Sequence, residues 1–354
     1  MQITHLRYAR LELKLKKPYT IAYEKISNAT TFILQIETDS DLIGLGCAAP
    51  DIPVTGETPE MVEIAINQVI EPFLIGKNPF YYAYLIEELK VLLKDQSSAL
   101  AMVDMALFDL MAKKTALPLF QFLGGYRTKI ATSITIGICP LQETIKEAQM
   151  YSSQGFTIFK VKGGLDVDSD IRRMQKLREI FPGFSLRFDG NQGYTVDEAI
   201  YFFQKTKDIN IEIFEQPTKV HFDEKLGKVT KNVDIPVMAD ESLKSLSDTF
   251  RLVSNERIDM LNIKLMKVGG ILEAMHINSV AKSNGIEVMV GCIDESALGI
   301  AAGLHFALSR PNIVYADLDG HLDFSNDPIS ELFELKEGWL IPGDRPGLGL
   351  NRFF

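Results

Sequence analysis

The chain has 354 residues, a net charge of −10, 46% hydrophobic residues and 24% charged residues. That length exceeds a single small core and makes two domains the natural expectation. The composition is that of an ordinary globular protein, and the acidic balance argues against nucleic acid or an anionic membrane surface as partner.

The amino-terminal stretch MQITHLRYARLELKLKKPYT alternates polar and apolar residues. It lacks the apolar region and cleavage site of a signal peptide. No apolar run reaches the length of a membrane span. Cys47, Cys139 and Cys292 are widely spaced and form no CxxC pair, which points to a reducing compartment. The expected location is the cytoplasm.

Residues 2–15 and 30–37 alternate as half-buried strands do, and a third strand is expected after the turn residues of Thr38–Gly46. Lys17–Asn28 and the Pro- and Gly-containing Ala48–Glu57 read as loops. A helical pattern begins at Thr58, with Glu60 and Glu63 in its early turns, where acids suit the helix dipole. Further helices are expected over 79–93 and 97–114. The latter carries Ala99, Met102, Val103, Ala106, Leu107 and Leu110 at helical spacing. Residues 1–125 therefore read as an α+β domain, with a boundary at Gly124–Gly125.

From residue 126 short apolar runs recur, with centres near 135, 160, 187, 213, 238, 262, 289 and 315. The steps between them are 25, 27, 26, 25, 24, 27 and 26 residues, and amphipathic helical patterns fill the gaps. Eight strands at that period predict a parallel α/β barrel, (β/α)7β, over 126–320. An open doubly wound sheet would need a GxGxxG loop after its first strand, and GGLD after Lys162 lacks that spacing. Residues 321–354 contain no full helical pattern in register and are expected to return to the first domain.

A barrel gathers its strand ends at one face, where barrel enzymes keep their sites. Here the second strand, within Phe156–Gly164, ends in Lys160 and Lys162. These lie two apart and so point to one side. The third ends in Asp189, the fourth in Glu215, the fifth in Asp240 followed by Glu241, the sixth in Lys264, and the eighth in Asp317 and Asp319. One such acid alone would read as a helix N-cap. Three carboxylates on three adjacent strands instead suit a hard divalent cation, Mg²⁺ first and Mn²⁺ second. Lys162 and Lys264 come from strands on opposite sides of the mouth. Burial and neighbouring cations are expected to depress their pKa values, so that one acts as base. Two bases facing one α-carbon permit racemisation or epimerisation, with the metal stabilising the enolate.

The set KVK, DGNQGY, EQP, ADES and NIKLMKVGG resembles the enolase superfamily, muconate-lactonizing-enzyme subgroup, across essentially the whole chain. The resemblance implies a capping domain, a modified barrel and a tail that completes the cap. It implies Asp189, Glu215 and Asp240 as Mg²⁺ ligands, Lys162 and Lys264 as acid/base residues, and Lys160 as partner of the substrate carboxylate. Asn191 and Glu241 are implied as neighbours of the ligands. The DLD of Asp317–Asp319 resembles the signature of the subgroup's dipeptide epimerases. Two acids there would grip a free α-ammonium. Thr135, Cys292 and Asp294 match positions that contact the dipeptide.

Members acting on Ala-Glu share KPYTIAYE but carry an arginine where this chain has Glu24. With Asp51 and Asp294, Glu24 makes an acidic field that disfavours a glutamate side chain and admits apolar or cationic ones. Succinylbenzoate synthesis, N-acylamino-acid racemisation and muconate cycloisomerisation are the alternatives within the subgroup. A non-catalytic barrel that sequesters a small cation would be marked by a missing ligand or lysine, and none is missing. Barrels of this kind often assemble as homo-oligomers; no patch in the sequence marks a contact surface.

Overall fold

The computed structural model describes residues 1–220 and 222–354. The amino-terminal part is an antiparallel sheet of β1 (Ile3–Thr20), β2 (Lys25–Thr38) and β3 (Ile43–Ala48), in that order. The first two strands are much longer than their alternating cores suggest, and most of the expected Lys17–Asn28 loop is strand. Pro18 is accommodated because the register slips between Lys14 and Tyr19, four residues on β1 (15–18) lying opposite one on β2 (Ser27). A proline needs no ladder hydrogen bond at such a bulge. Pairing then resumes at Tyr19 with Ile26 and Thr20 with Lys25, and the hairpin turns through Ile21–Glu24. Ala48–Glu57 contains no strand past Ala48 and no helix.

The helix Ser97–Lys114 packs on this sheet. Its sequence suggests one apolar stripe, yet every residue from Ser98 to Ala112 is buried. A helix apolar all round belongs in a core. Gly44 and Gly46 let β3 lie directly on it: an added Cβ would come within 2.2 Å of the Ala106 carbonyl oxygen and 1.9 Å of that of Met102. Three buried carboxylates tie the helix to its surroundings through backbone N–H groups. Glu57 accepts from Ser98 (2.7 Å) and Ala99 (3.0 Å) at the helix start. Asp104 accepts from Ile271 and Leu272, the start of a barrel helix. Asp109 accepts from Leu45 (2.8 Å) on β3 and Leu348 (2.7 Å) in the tail, and pairs with Lys113 (2.7 Å).

After β4 (Ile130–Ala131) come eight parallel strands: β5 (Ile134–Ile136), β6 (Ile158–Lys162), β7 (Ser185–Asp189), β8 (Ile211–Glu215), β9 (Val237–Ala239), β10 (Met260–Lys264), β11 (Glu287–Gly291) and β12 (Ile313–Asp317). Each pairs with the next in order. The circle closes where Thr132 bridges Ala316 and the Ser133 N–H donates to the Ala316 carbonyl (3.1 Å). The period-2 alternation sorts side chains as it must. Phe188 and Phe214 point outward onto Phe202 of the helix Val196–Thr206, the first ring stacked and the second tilted. Ile213, Met238, Met260 and Met289 point inward and fill the barrel floor. One pleat above them lie Glu215, Asp240, Asn262 and Gly291.

Past β12 the chain makes contacts at both ends of the molecule. Asn326 accepts from the Lys14 N–H on β1 (2.8 Å). β13 (Phe333–Lys336) and β14 (Trp339–Pro342) form a hairpin whose second strand pairs with β4. The Phe353 N–H reaches Gln35 of β2 (2.9 Å). Among the described residues no helix is long and apolar enough to cross a membrane.

Asp109→Ala would remove the carboxylate partner of the half-buried Lys113 and of two buried N–H groups at once. It is expected to cost about 3 kcal/mol or more, measured as a lowered urea midpoint.

Candidate active site

Alternation turns the ends of β6 to β12 inward, so their polar side chains meet where the sheet stops. The three ligand candidates Asp189, Glu215 and Asp240 are buried, and each offers an oxygen within 4.8 Å of the others. They fit a hard cation on their own electrostatics. Burial, and then Asp189, push the Glu215 carboxyl up to about 8. Acids that resist sharing negative charge are what a divalent ion relieves.

Lysines hold the acids in place. Lys160 is 1% exposed and touches Glu215 (2.8 Å), Asp317 (2.8 Å) and Asp189 (3.2 Å). Lys162 pairs with Asp189 at 2.7 Å, and Lys264 with Asp240 at 2.9 Å. These contacts reverse one expectation. Burial, the largest influence, does pull Lys160 and Lys264 down, but the surrounding carboxylates outweigh it and hold both above the ordinary lysine value. The acids respond in kind. Despite burial, Lys264, Lys267 and Lys160 hold Asp240 well below the usual range. Lys160 likewise keeps Asp317 down, to about 2.

A small cleft of about 60 Å³, open to solvent, sits above this charge layer. Lys162, Asn191, Asp240, Glu241, Lys264, Cys292 and Asp294 line it from the barrel, and Tyr19, Ile21, Tyr23, Ile26, Asp51 and Val54 from the cap. Lys160 lies beneath and does not line it. The Tyr19 hydroxyl donates to Asp294 (2.9 Å), tethering the hairpin over the mouth. Burial pushes the Asp294 carboxyl up to about 6. Glu24 is exposed at the hairpin turn and is not a lining residue. Its carboxyl is raised by partial burial and by Asp51, which does line the cavity.

Asp317 and Asp319 do not share a strand face, because β12 ends at Asp317. Asp317 turns to Lys160 and accepts from the Ser133 hydroxyl (2.6 Å). Asp319 accepts from the Thr135 N–H (2.6 Å) and has Cys292 Sγ at 4.0 Å. Burial, with Asp317 close by, pushes its carboxyl up to about 7. A smaller hollow beside it is lined by Lys17, Tyr19, Thr135, Gly137, Glu147, Tyr151 and Asp323, with Lys17 paired to Glu147.

Of three further contacts to the ligand acids, those of Lys267 and Asn262 were not anticipated, while Asn191 was expected as a neighbour of the ligands. Lys267, fully buried on the short Leu265–Val268 helix, donates to Asp240 Oδ1 and to the Asp240 carbonyl. Asn262 Nδ2 donates to Glu215 Oε1 (2.8 Å). The Asn191 N–H donates to Asp189 Oδ1 (2.8 Å) from a left-handed backbone (φ 39°). Lys264–Lys267 is a visible KxxK in the sequence, and Asn262 stands two residues before Lys264, on the same strand face. Asn191 also donates to Glu241 (3.3 Å), whose carboxyl burial raises to about 7.

Known proteins resemble the chain throughout. The family description "Mandelate racemase / muconate lactonizing enzyme, N-terminal domain" matches residues 4–124, and "Enolase C-terminal domain-like" matches 143–352. The L-Lys-D/L-Arg epimerase of Desulforapulum autotrophicum is 41% identical over 99% of this chain and 100% of its own length. The L-Ala-D/L-Glu epimerase of Bacillus subtilis is 37% identical, covering 99% and 97%. The solved dipeptide epimerase of Enterococcus faecalis, complexed with Mg and L-Leu-L-Tyr, superposes with a TM-score of 0.96 at 36% identity, covering 99% and 100%.

Glu295 offers a test of the site's buried charge. Burial pushes its carboxyl up to about 8, from an ordinary glutamate value of 4.5. The folded protein then holds this proton more tightly than the unfolded chain does. The associated stability is complete below the ordinary value and is lost as pH rises through the folded one. Glu295→Gln is therefore expected to flatten the fall of Tm between about pH 5 and pH 8.5, measured by thermal melts across that range.

Proposed function

The chain belongs to the mandelate racemase / muconate lactonizing enzyme family, and from that premise we propose that it is a Mg²⁺-dependent dipeptide epimerase that inverts the α-carbon of the second residue. The observation that carries the reading is the placement of Lys162 and Lys264. Both line one cavity, from β6 and β10, and each is held by a different acid of the ligand set.

Asp189, Glu215 and Asp240 would hold the ion. When bound, Mg²⁺ neutralises these acids and takes up negative charge that develops on the substrate carboxylate. Lys264, buried and paired with Asp240, stands where it would act as a base. One lysine, as the free amine, takes the α-proton from one face. The other, as the ammonium, returns a proton to the opposite face, so one C–H bond breaks, one forms and total charge is unchanged. Lys160, whose partners Asp189 and Glu215 are the acids a cation engages, is assigned to the substrate carboxylate. Asp319, with Asp317, takes the α-ammonium. Asn191 and Glu241 brace the ligands, and Thr135, Cys292 and Asp294 contact the peptide.

The side-chain preference is cationic. Asp51 and Asp294 line the main cavity, and Glu24 stands beside Asp51. In the smaller hollow, where the first residue would lie, Lys17 already pairs with Glu147, and Asp323 is the acid that would meet a cation. The similarity to an L-Lys-D/L-Arg epimerase supports this choice. Ile21, Ile26, Val54 and Ile293 also line the main cavity and favour apolar residues as the second class.

In D₂O with Mg²⁺, α-proton exchange followed by NMR is expected at the second residue of free L,L-dipeptides, fastest with Lys or Arg, and absent from N-acetylated ones. No exchange with any dipeptide, or equal exchange after acetylation, would sink the assignment. Glu24→Arg is expected to lower kcat/KM for a dipeptide ending in Arg by roughly fivefold and to raise it for Ala-Glu, the scale of one exposed ion pair.

A further inference from the structure

The three ligand acids share a pattern that the family's ligand set does not require. Each carboxylate has one oxygen pinned by a donor of the scaffold. Asp189 Oδ1 accepts from the Asn191 N–H (2.8 Å), Glu215 Oε1 from Asn262 Nδ2 (2.8 Å), and Asp240 Oδ1 from Lys267 Nζ. The other oxygen is held only by lysines of the site: Asp189 Oδ2 by Lys160 and Lys162, Glu215 Oε2 by Lys160, Asp240 Oδ2 by Lys264.

The pinning groups are built in. Asn262 is fully buried, and Gly291 on the next strand leaves it room, since an added Cβ there would sit 2.5 Å from Asn262 Oδ1. Lys267 is 2% exposed and also donates to the carbonyls of Asp240 and Asn262. Neither side chain lines the cavity.

We infer that Asn262 and Lys267 are positioning residues that restrict Glu215 and Asp240 to one oxygen each, and so select Mg²⁺ against Ca²⁺. Mg²⁺ demands a near-ideal octahedron and keeps several waters, whereas Ca²⁺ takes six to eight oxygens and readily accepts a bidentate carboxylate. Three acids pinned in this way leave room on a six-coordinate ion and deny Ca²⁺ its extra oxygens. The inference rests on the metal-site assignment.

The test is calorimetric titration of the metal-free full chain with MgCl₂ and with CaCl₂, for wild type, Asn262→Leu and Lys267→Met. Losing the Lys267 charge changes the field felt by both divalent ions alike, so charge alone leaves the ratio of the two Kd values unmoved. Freed oxygens favour Ca²⁺ alone. The expected result is a fall of about tenfold in Mg²⁺ preference over Ca²⁺ in each folded variant, judged by circular dichroism. A ratio within twofold of wild type in a folded variant overturns the inference. If neither variant folds, water-proton relaxation of the Mn²⁺-loaded wild type decides. About three exchangeable inner-sphere waters, six minus three, support single-oxygen binding, and one or none overturns it. Failure of the underlying assignment looks different: wild type would bind neither ion, or Asp189→Asn would bind Mg²⁺ as wild type does.

Discussion

Burying a carboxylate is costly unless it meets a cation or a full set of hydrogen bonds. At the carboxyl ends of the barrel strands four acids are buried together, Asp189, Glu215, Asp240 and Asp317, and four lysines answer them, Lys160, Lys162, Lys264 and Lys267. The opposition is not even. Lys160 serves three acids, while Asp240 is shared by two lysines. Glu215 is left as the acid whose proton is hardest to remove. That unevenness makes the cluster receptive to a divalent ion, and the surrounding carboxylates hold Lys160 and Lys264 above the ordinary lysine value.

The rest of the molecule keeps this layer rigid. The buried helix Ser97–Lys114 carries none of the chemistry, yet its carboxylates reach into sheet, barrel and tail. Asp104 meets the first N–H groups of the helix Ile271–Ser283, which follows directly on β10 and Lys267. Gly270 is required there: its φ is +113°, and a Cβ would lie 2.4 Å from the Asp104 carboxylate. The cap is thus joined by directed hydrogen bonds to the segment that places the sixth barrel strand's lysines.

Much of this was legible in the sequence because two periods carry it. A repeat near 26 residues gave the barrel, and the alternation of strand residues turned Lys160, Lys162, Asp189, Glu215 and Lys264 to one side. The same alternation points to Asn262, but an asparagine between apolar neighbours draws no attention until its partner is known. Lys267 was visible as a second lysine; its contact with Asp240 depends on the short helix that turns the chain back after β10. The Lys17–Asn28 strands were obscured because Pro18 interrupts the pattern at a bulge. The divergent turns of Asp317 and Asp319 follow from where β12 stops, and strand ends are the least regular points of any alternation.

The long hairpin of β1 and β2 has one more consequence. Its tip, Ile21–Glu24, supplies walls of the cavity through Ile21 and Tyr23, while Glu24 stands exposed at the turn, outside the layer of paired charges. Substitutions there disturb little packing, whereas almost any change among the barrel acids and lysines disturbs several partners at once. The molecule is therefore conservative in its chemistry and permissive in its appetite. A lineage can drift from one class of peptide to another through a few surface residues, with the proton-transfer machinery carried along unaltered.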